Sequence, residues 1–336
     1  MESLHNHTTH SDGTMTHEEL YRAFAERGGK IIAFTDHDTL PNKDALAFLT
    51  GVARGAPYWI VGIEITTIVP RDLGQRGILH LIGLFVDPWN RGLREHGVLA
   101  QEARVRRMQG MVKNLRSLGY RISERDCEEE AAGDSVGRPH IVRALSRYPE
   151  NAKVTAALVE EMRDAARQND EVRVKYERML ALGEAQYPYS LFLSPDAFRP
   201  AYVEMTYIPD FDHAVRLVRE AGGIASIAHY ESIREKLSLA AVEKLLVTGR
   251  VDAVETVYGM RTIGTPLEQH TADERAVLSA IVRKTGALET GGGDIHTLDD
   301  LQLYCSTAAF SRATEGFTKN ILESGRVDRR WSSIPR

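Results

Sequence analysis

The sequence has few cysteines, no long apolar run and no strong excess of either charge. Cys127 and Cys305 are the only cysteines in 336 residues, which excludes a disulfide framework and a Cys-rich zinc site. No apolar stretch approaches the roughly 20 residues that span a bilayer. The amino-terminal residues MESLHNHTTHSDG also lack the apolar segment of a signal peptide. We therefore expect a cytoplasmic protein with no membrane partner.

The charge balance limits the class of ligand. A net charge of −5 argues against binding long-duplex nucleic acid. A local basic lining is still compatible with a small phosphorylated substrate, such as a nucleotide or a short oligonucleotide. The length suits one large α/β barrel, or a barrel with an inserted subdomain. The sequence gives no indication of the oligomeric state.

Short apolar segments alternate with helical periodicity near both ends of the chain, and repeated βα units imply parallel strands. Thr16 and Glu19 have the spacing of a capping box at the first helix. Predicted strands are Ser3–His7, Lys30–Thr35, Tyr58–Ile65, Ile78–Val86, Gly223–Ala228, Asp252–Val257 and Ala287–Gly291. Predicted helices are Thr16–Arg27, Pro41–Leu49, Phe211–Ala221, Leu239–Val247 and Thr271–Thr285.

The alternation stops in the middle of the chain. Leu99–Leu118 and Ala152–Leu182 have the periodicity of charged helices, and Gly119 and Gly183 are expected to end them. We therefore predict a discontinuous barrel of residues 1–92 and 201–336, interrupted by a helical subdomain of residues 93–200.

Two segments near the amino terminus combine histidine with aspartate. His5 and His7 are two residues apart, so in a strand both imidazoles face the same side. Asp12 follows in a loop. His37 comes directly after a strongly apolar strand, between Asp36 and Asp38. Catalytic groups of parallel barrels lie at such carboxyl ends of strands, and the two aspartates are candidates for orienting ligand imidazoles.

Further ligand types lie within or after apolar strands. Glu64 lies in VGIEIT, where an unpaired carboxylate is costly to bury. His80 and His229 also belong to apolar segments, although His80 alone would be read as an ordinary core histidine. Asp294 and His296 repeat the spacing of the first pair after three glycines, which permit close backbone approach.

Together these positions predict a metal centre, since six of the 12 histidines and three carboxylates fall at or near strand ends. His10, His17, His96, His213 and His270 look scattered and are left out. Nine nitrogen and oxygen ligands without thiolate exceed the needs of one ion. They suit two or three divalent ions of zinc, manganese or iron. Magnesium alone would use fewer imidazoles.

The motifs LHNHTTHSDG, FTDHDT, GIEI, HLIGL, AGGIASIAH and GGDIH, in this order, resemble the polymerase and histidinol phosphatase (PHP) family of phosphoesterases. The resemblance implies a distorted (β/α)7 TIM-like barrel with a trinuclear metal centre. By position, one ion would be held by His5, His7, Glu64 and Asp294. Glu64 would bridge to a second ion held by His80 and His229, and the third would be held by Asp12, His37 and His296.

Gly137-Arg138-Pro139-His140 resembles the GRPH segment in the helical insertion of a PHP subgroup. That subgroup contains nucleoside 3′,5′-bisphosphate phosphatases and 5′-to-3′ exonucleases of short RNA. The resemblance implies that the insertion caps the barrel mouth and that Arg138 and His140 bind substrate phosphate. Read from the residues alone, the segment is an ordinary helix start with Pro139 in the first turn. Arg143 is a weaker second candidate.

The sequence departs from the family pattern at Ser3, Tyr230 and Gly293, where aspartate, proline and serine are usual. We expect hydrolysis of a phosphomonoester or terminal phosphodiester by a metal-bridging hydroxide. Alternatives are a histidinol-phosphate-type phosphatase, a metal-dependent amidohydrolase and, from another class, a non-catalytic metal-stabilised accessory or binding domain. A histidinol-phosphate-type phosphatase shares the metal site but lacks the GRPH segment.

Overall fold

A computed structural model describes residues 1–52, 57–131 and 135–335. The strands are β1 (Glu2–Ser3), β2 (Ile31–Phe34), β3 (Tyr58–Ile68), β4 (Ile78–Leu84), β5 (Ile224–Ile227), β6 (Ala253–Val257) and β7 (Leu288–Gly291). The α-helices are α1 (His17–Glu26), α2 (Lys43–Gly51), α3 (Arg91–Ser117), α4 (Glu124–Ala131), α5 (Arg138–Ser146), α6 (Asn151–Ala166), α7 (Asp170–Leu182), α8 (Phe211–Glu220), α9 (Leu239–Val247), α10 (Glu268–Thr285), α11 (Leu298–Ser306), α12 (Ala308–Ser311) and α13 (Phe317–Glu323). In the described ranges, no helix is both long and apolar enough to cross a bilayer.

The chain divides into two compact units, Met1–Ala100 with Ile208–Arg336, and Gln101–Tyr207. We call the first the barrel unit and the second the helical unit. Their boundaries lie several residues beyond the predicted 92 and 200, and the first boundary falls inside α3. The role of the helical unit as a cap stays a prediction.

The seven strands form one sheet in sequence order. Backbone hydrogen bonds nearly close this sheet into a barrel, because Leu4 N donates to Gly291 O at 3.0 Å and His7 N donates to Ile295 O at 2.8 Å. The strand interiors are apolar and buried, with Ile60, Ile63 and Leu81 fully inaccessible, as expected where helices cover a closed sheet. The predicted distorted (β/α)7 barrel is confirmed.

The prediction of parallel strands is wrong for β4, which is antiparallel to both β3 and β5. Residues 69–77 alone connect β3 to β4, and this segment contains no helix. A parallel crossover needs a dozen or more residues, whereas a short connection joins antiparallel neighbours. The reversed direction brings the first half of β4, including His80, to the barrel edge where the parallel strands end.

Local signals position most of the helices. Thr16 Oγ1 accepts from Glu19 N at 3.2 Å and Glu19 Oε2 accepts from Thr16 N at 2.8 Å, so the predicted capping box forms. Helix α8 buries Phe211, Ala214 and Val218 along one face, with the spacing of an amphipathic helix.

The helical unit has its own apolar core, which includes Met111, Leu115 and Phe192. The predicted helix over Ala152–Leu182 is two helices, α6 and α7. Asn169 interrupts the periodicity because its side-chain oxygen caps α7, accepting from Glu171 N at 2.9 Å and from Val172 N at 3.2 Å. Gly183 ends α7 with φ of 84°, as predicted.

Glu2, in β1, connects the first strand of the barrel unit to α13. Its carboxylate accepts from Gly316 N at 2.9 Å, Thr318 N at 2.9 Å and Thr318 Oγ1 at 2.6 Å at the start of α13. We expect Glu2→Ala to lower the free energy of unfolding by about 2–3 kcal/mol, since it leaves buried donors unpaired. Urea unfolding measures this change. The exposed ion pair between Lys319 and Glu323 in α13 provides the control. Glu323→Ala should lower the free energy of unfolding by less than about 0.5 kcal/mol. Equal costs for the two variants would contradict this role.

Candidate metal centre

The nine predicted ligands all belong to the barrel unit and meet at one edge of its sheet. They extend from the ends of parallel strands and from the antiparallel β3–β4 pair, the arrangement expected of a barrel active site. The ligands are His5, His7, Asp12, His37, Glu64, His80, His229, Asp294 and His296. Their joint placement follows from the closure of the sheet, which pairs Asn6 with Ile295, and from the β2–β3 pairing, which continues to His37 and Glu64.

The side chain of Glu64 is fully buried and directs its two oxygens to different groups of imidazoles. Its Oε1 lies 2.9 Å from His80 Nδ1 and 3.1 Å from His229 Nε2. These three residues match the group that the family resemblance implies for the second ion.

The other oxygen of Glu64, Oε2, lies 3.2 Å from His7 Nε2 and 3.5 Å from His5 Nε2. Asp294 Oδ1 approaches the same two nitrogens at 3.3 Å and 3.5 Å. These four residues form the group implied for the first ion. A carboxylate with one oxygen in each group has the geometry of a bridging ligand.

Asp12 lies between the two histidines of the third group. Its Oδ1 lies 3.2 Å from His296 Nε2, and its Oδ2 lies 3.7 Å from His37 Nε2. His37 also directs Nδ1 at Glu64 Oε2, 2.8 Å away. The two nitrogens of His37 therefore face different groups, whereas the resemblance implied a role only with Asp12 and His296.

Several of these buried atoms have no hydrogen-bond partner among the described residues. They are Asp12 Oδ1, His37 Nδ1, Glu64 Oε2 and His80 Nδ1. Buried polar atoms without partners are costly, and here they converge within one cluster. Atoms as close as His37 Nδ1 and Glu64 Oε2 that form no hydrogen bond are explained by a shared cation, so the residues fit divalent metal ions.

The charges in the cluster are tightly coupled. Burial opposes protonation of His7, but the neighbouring carboxylates of Asp294 and Glu64 raise its pKa to about 10. Burial likewise opposes protonation of His229, and Glu64 raises its pKa to about 9. Burial alone would raise the pKa of Glu64, but His37 and His80 hold it well below its usual value. The cluster therefore favours positive charge at its centre, which protons or metal ions can supply.

The backbone is strained where it presents ligands. Asp38, His229 and Asp294 are three of the four described non-glycine residues with positive φ, a conformation that concentrates at functional sites. Gly292 lies against the His5 backbone so closely that a Cβ atom would stand 2.5 Å from His5 N. The close backbone approach that we predicted for the glycines before Asp294 therefore occurs at Gly292.

Asp36 and Asp38 lie beside backbone groups and imidazoles, and their role in orienting ligand imidazoles stays a prediction. Asp36 accepts from Thr8 N at 2.7 Å and Ser11 Oγ at 2.6 Å, which orders the loop that leads to Asp12. Its nearest imidazole is that of His17, at 3.7 Å.

Asp38 accepts from Thr66 N at 2.7 Å and lies 3.2 Å from His96 Nε2. Two of the five histidines that sequence reasoning left out as scattered, His17 and His96, are therefore buried partners of the aspartates beside His37. Their spacing along the chain gave no signal of this role.

Glu255 is a residue of the site that sequence reasoning missed. It is buried in β6, where its Oε1 accepts from His5 Nδ1 at 3.0 Å and its Oε2 accepts from His229 N at 2.7 Å. It thereby orients ligands of two groups. A carboxylate inside the apolar segment DAVETV was the available signal, the same one that identified Glu64.

Tyr230, at the position where the family usually has proline, is buried in the barrel core. Its hydroxyl donates to Leu237 O at 2.8 Å, so the side chain is anchored by the segment that precedes α9. The Ser3 departure is also accommodated, since Ser3 Oγ accepts from Gly293 N at 3.1 Å.

The predicted phosphate-binding residues lie in the helical unit. His140 Nδ1 accepts from Gly137 N at 2.7 Å, inside the first turn of α5. The Arg138 guanidinium lies 5.5 Å from the ring centre of Tyr189. Burial and the neighbouring Arg138 and Arg104 lower the pKa of Arg107 to about 10. The positive charges of Arg104 and Arg138 therefore act on Arg107 near the start of α5.

A barrel with imidazoles and carboxylates converging at its strand ends is typical of metal-dependent hydrolases. The family model of the PHP domain matches residues 3–194, so the chain belongs to the PHP family of phosphoesterases. This family assignment and the predicted class of enzyme are confirmed.

Two relatives align with most of this chain. It is 24% identical over 297 residues to the 3′,5′-nucleoside bisphosphate phosphatase of Chromobacterium violaceum, which covers 87% of this chain and 86% of the relative. It is 24% identical over 300 residues to the 5′-3′ exoribonuclease Rnm of Escherichia coli, which covers 87% and 84%.

The fold is also similar to a solved structure. An amidohydrolase of Chromobacterium violaceum with bound sulfate and no metal has a TM-score of 0.62 and 21% identity, covering 88% of this chain and 87% of the other. This likeness supports the barrel fold alone and does not assign an amidohydrolase activity.

Replacing Glu255 tests its orienting role. Glutamine has one acceptor oxygen, so Glu255→Gln must lose one of the two contacts with His5 and His229. We expect metal affinity to fall about 10- to 100-fold, measured by competition with a chelating dye. Glu289→Gln on the neighbouring β7 is the matched control and should bind metal like the wild type. Unchanged affinity in Glu255→Gln would contradict the role.

The raised imidazole pKa values predict how metal binding depends on pH. His7 and His229 hold protons at neutral pH in the metal-free cluster, and these protons must leave before the nitrogens bind a cation. Metal affinity should therefore rise between about pH 6 and pH 9, with proton release at pH 7. Calorimetry in two buffers of different ionisation heat measures the released protons. Binding that releases none and does not vary with pH would refute this expectation.

Proposed function

We propose that this enzyme hydrolyses a phosphate ester of a small nucleotide-like substrate, such as a nucleoside 3′,5′-bisphosphate or a short 5′-phosphorylated RNA. The observation that carries the hydrolytic role is the division of the two Glu64 oxygens between two groups of imidazoles. The alignment with a bisphosphate phosphatase and an exoribonuclease over more than four fifths of each supports this substrate class.

The nine ligands hold two or three divalent ions of manganese, zinc or iron in this proposal, since imidazole suits these metals better than magnesium. Glu64 belongs to both the first and the second group, Asp294 adds a second carboxylate to the first, and Asp12 supplies the carboxylate of the third. Bound divalent ions lower the pKa of water towards neutrality and polarise phosphoryl oxygens.

The protein's own residues fix the geometry for this chemistry. Glu255 accepts a hydrogen bond from His5 Nδ1, which leaves His5 Nε2 directed at Glu64 and Asp294. His296 Nδ1 donates to the Asp294 carbonyl at 2.8 Å, so its Nε2 lone pair faces Asp12. These bonds leave Nε2 as the nitrogen of each ring that a cation would bind once the ring is neutral.

The helical unit carries the residues that we propose bind substrate phosphate. Arg138 and His140 at the start of α5 bind phosphate, and Arg104 and Arg107 add positive charge beside them. Arg104 is buried. A guanidinium fork matches two phosphate oxygens, so this group of arginines suits a phosphorylated ligand. We place the reaction in the cytoplasm, where the two free cysteines stay reduced.

Phosphate release after reconstitution with Mn²⁺ tests the proposal. We expect turnover of nucleoside 3′,5′-bisphosphates or short 5′-phosphorylated RNA, with histidinol phosphate as the comparison substrate. The double variant His37→Ala with Asp294→Ala should lose about 1,000-fold in rate, because losing the ions removes several kcal/mol of transition-state stabilisation.

His270→Ala, at a histidine whose side chain is 59% exposed, is the matched control and should keep the wild-type rate. Full activity in a metal-stripped sample or in the double variant would rule out the mechanism. Preferential turnover of histidinol phosphate would favour the amino-acid-pathway alternative.

A further inference from the structure

Arg261 brings a guanidinium group to the metal centre from the loop after β6. Its Nη2 lies 3.2 Å from His296 Nδ1 and 4.0 Å from Asp294 Oδ2. Its side chain nevertheless remains 65% exposed. The guanidinium is thus beside two of the proposed ligands and accessible to a molecule that enters from solvent.

The loop that presents Arg261 is held firmly by its neighbours. Met260 is buried in the barrel core, and Thr262 Oγ1 donates to Gly259 O at 2.8 Å. Gly259 has φ of 83°, and a Cβ atom there would lie 2.6 Å from Thr271 Cγ2. Glycine therefore fixes a tight turn at the carboxyl end of β6, the sheet edge that carries the metal ligands.

The bond that His296 makes elsewhere determines what Arg261 does to this ring. His296 Nδ1 lies 2.8 Å from the Asp294 carbonyl oxygen, and this bond requires a proton on Nδ1. A protonated Nδ1 cannot also accept from Arg261, so the guanidinium does not orient the ring. Asp294 directs Oδ1 towards His7 at 3.3 Å and leaves Oδ2 on the Arg261 side.

We propose that Arg261 binds the phosphoryl group that is hydrolysed, donating N–H groups to its non-bridging oxygens. This inference rests on the proposed function. A guanidinium fork matches two phosphoryl oxygens, and charge on those oxygens must be stabilised in the transition state. The barrel unit would then contribute its own phosphoryl contact, separate from Arg138 in the helical unit.

Arg261→Gln and Arg261→Lys in the metal-loaded enzyme test this role. We expect kcat of Arg261→Gln to fall about 100-fold, with metal content unchanged. Arg261→Lys should recover part of the loss, since lysine keeps the charge without the fork. Arg283→Gln is the matched control: Arg283 is an exposed arginine in the last turn of α10, which leads to the opposite end of the barrel.

Inorganic phosphate provides a second readout that does not depend on turnover. Arg261→Gln should bind it about tenfold more weakly than the wild type, measured by calorimetry. Wild-type kcat and phosphate affinity in Arg261→Gln would overturn the inference, and so would a loss of activity that only follows loss of metal. If the wild type hydrolyses no phosphoester, the proposed function fails. The phosphate titration then still decides the role of Arg261, because equal affinities overturn it and weaker binding supports it.

Discussion

A carboxylate at the centre of the barrel, fully buried, is the constraint on which the site depends. Burying the charge of Glu64 is unfavourable unless positive groups surround it. Five imidazoles approach its two oxygens, at distances from 2.8 to 3.5 Å. They come from four different strands or strand ends, so the sheet must close before the charge is compensated. The same closure assembles the ligands, and stability and metal binding therefore rest on one arrangement.

The backbone around this carboxylate is under strain that local hydrogen bonds offset. Asp38 has φ of 52°, and its carboxylate accepts from Thr66 N and Oγ1. His229 has φ of 21°, and its N–H donates to Glu255. Such conformations cost about 1–3 kcal/mol each. They persist here because buried acceptors hold them in place.

Sequence periodicity predicted the alternating strands and helices, and the family resemblance implied the distorted barrel. The nine proposed ligands were found because strand ends and paired histidines are local signals. The direction of β4 was not predicted, since it depends on a connection that lacks a helix. His17, His96 and Glu255 were missed because their partners are distant in sequence. Arg261 lies in a loop whose turn is determined by Gly259 packing against a helix, and no sequence signal marks such a contact.

Closure between Asn6 and Ile295 has a consequence for the order of events during synthesis. The hairpin of β3 and β4 brings Glu64 and His80 together from neighbouring parts of the chain, so this pair can assemble early. Asp294 and His296 leave the ribosome long after this hairpin, and their backbone must then join that of the first strand. A nascent chain therefore completes the proposed cation site only once the segment around Ile295 has paired with the segment around Asn6, which couples metal uptake to the formation of a long-range contact.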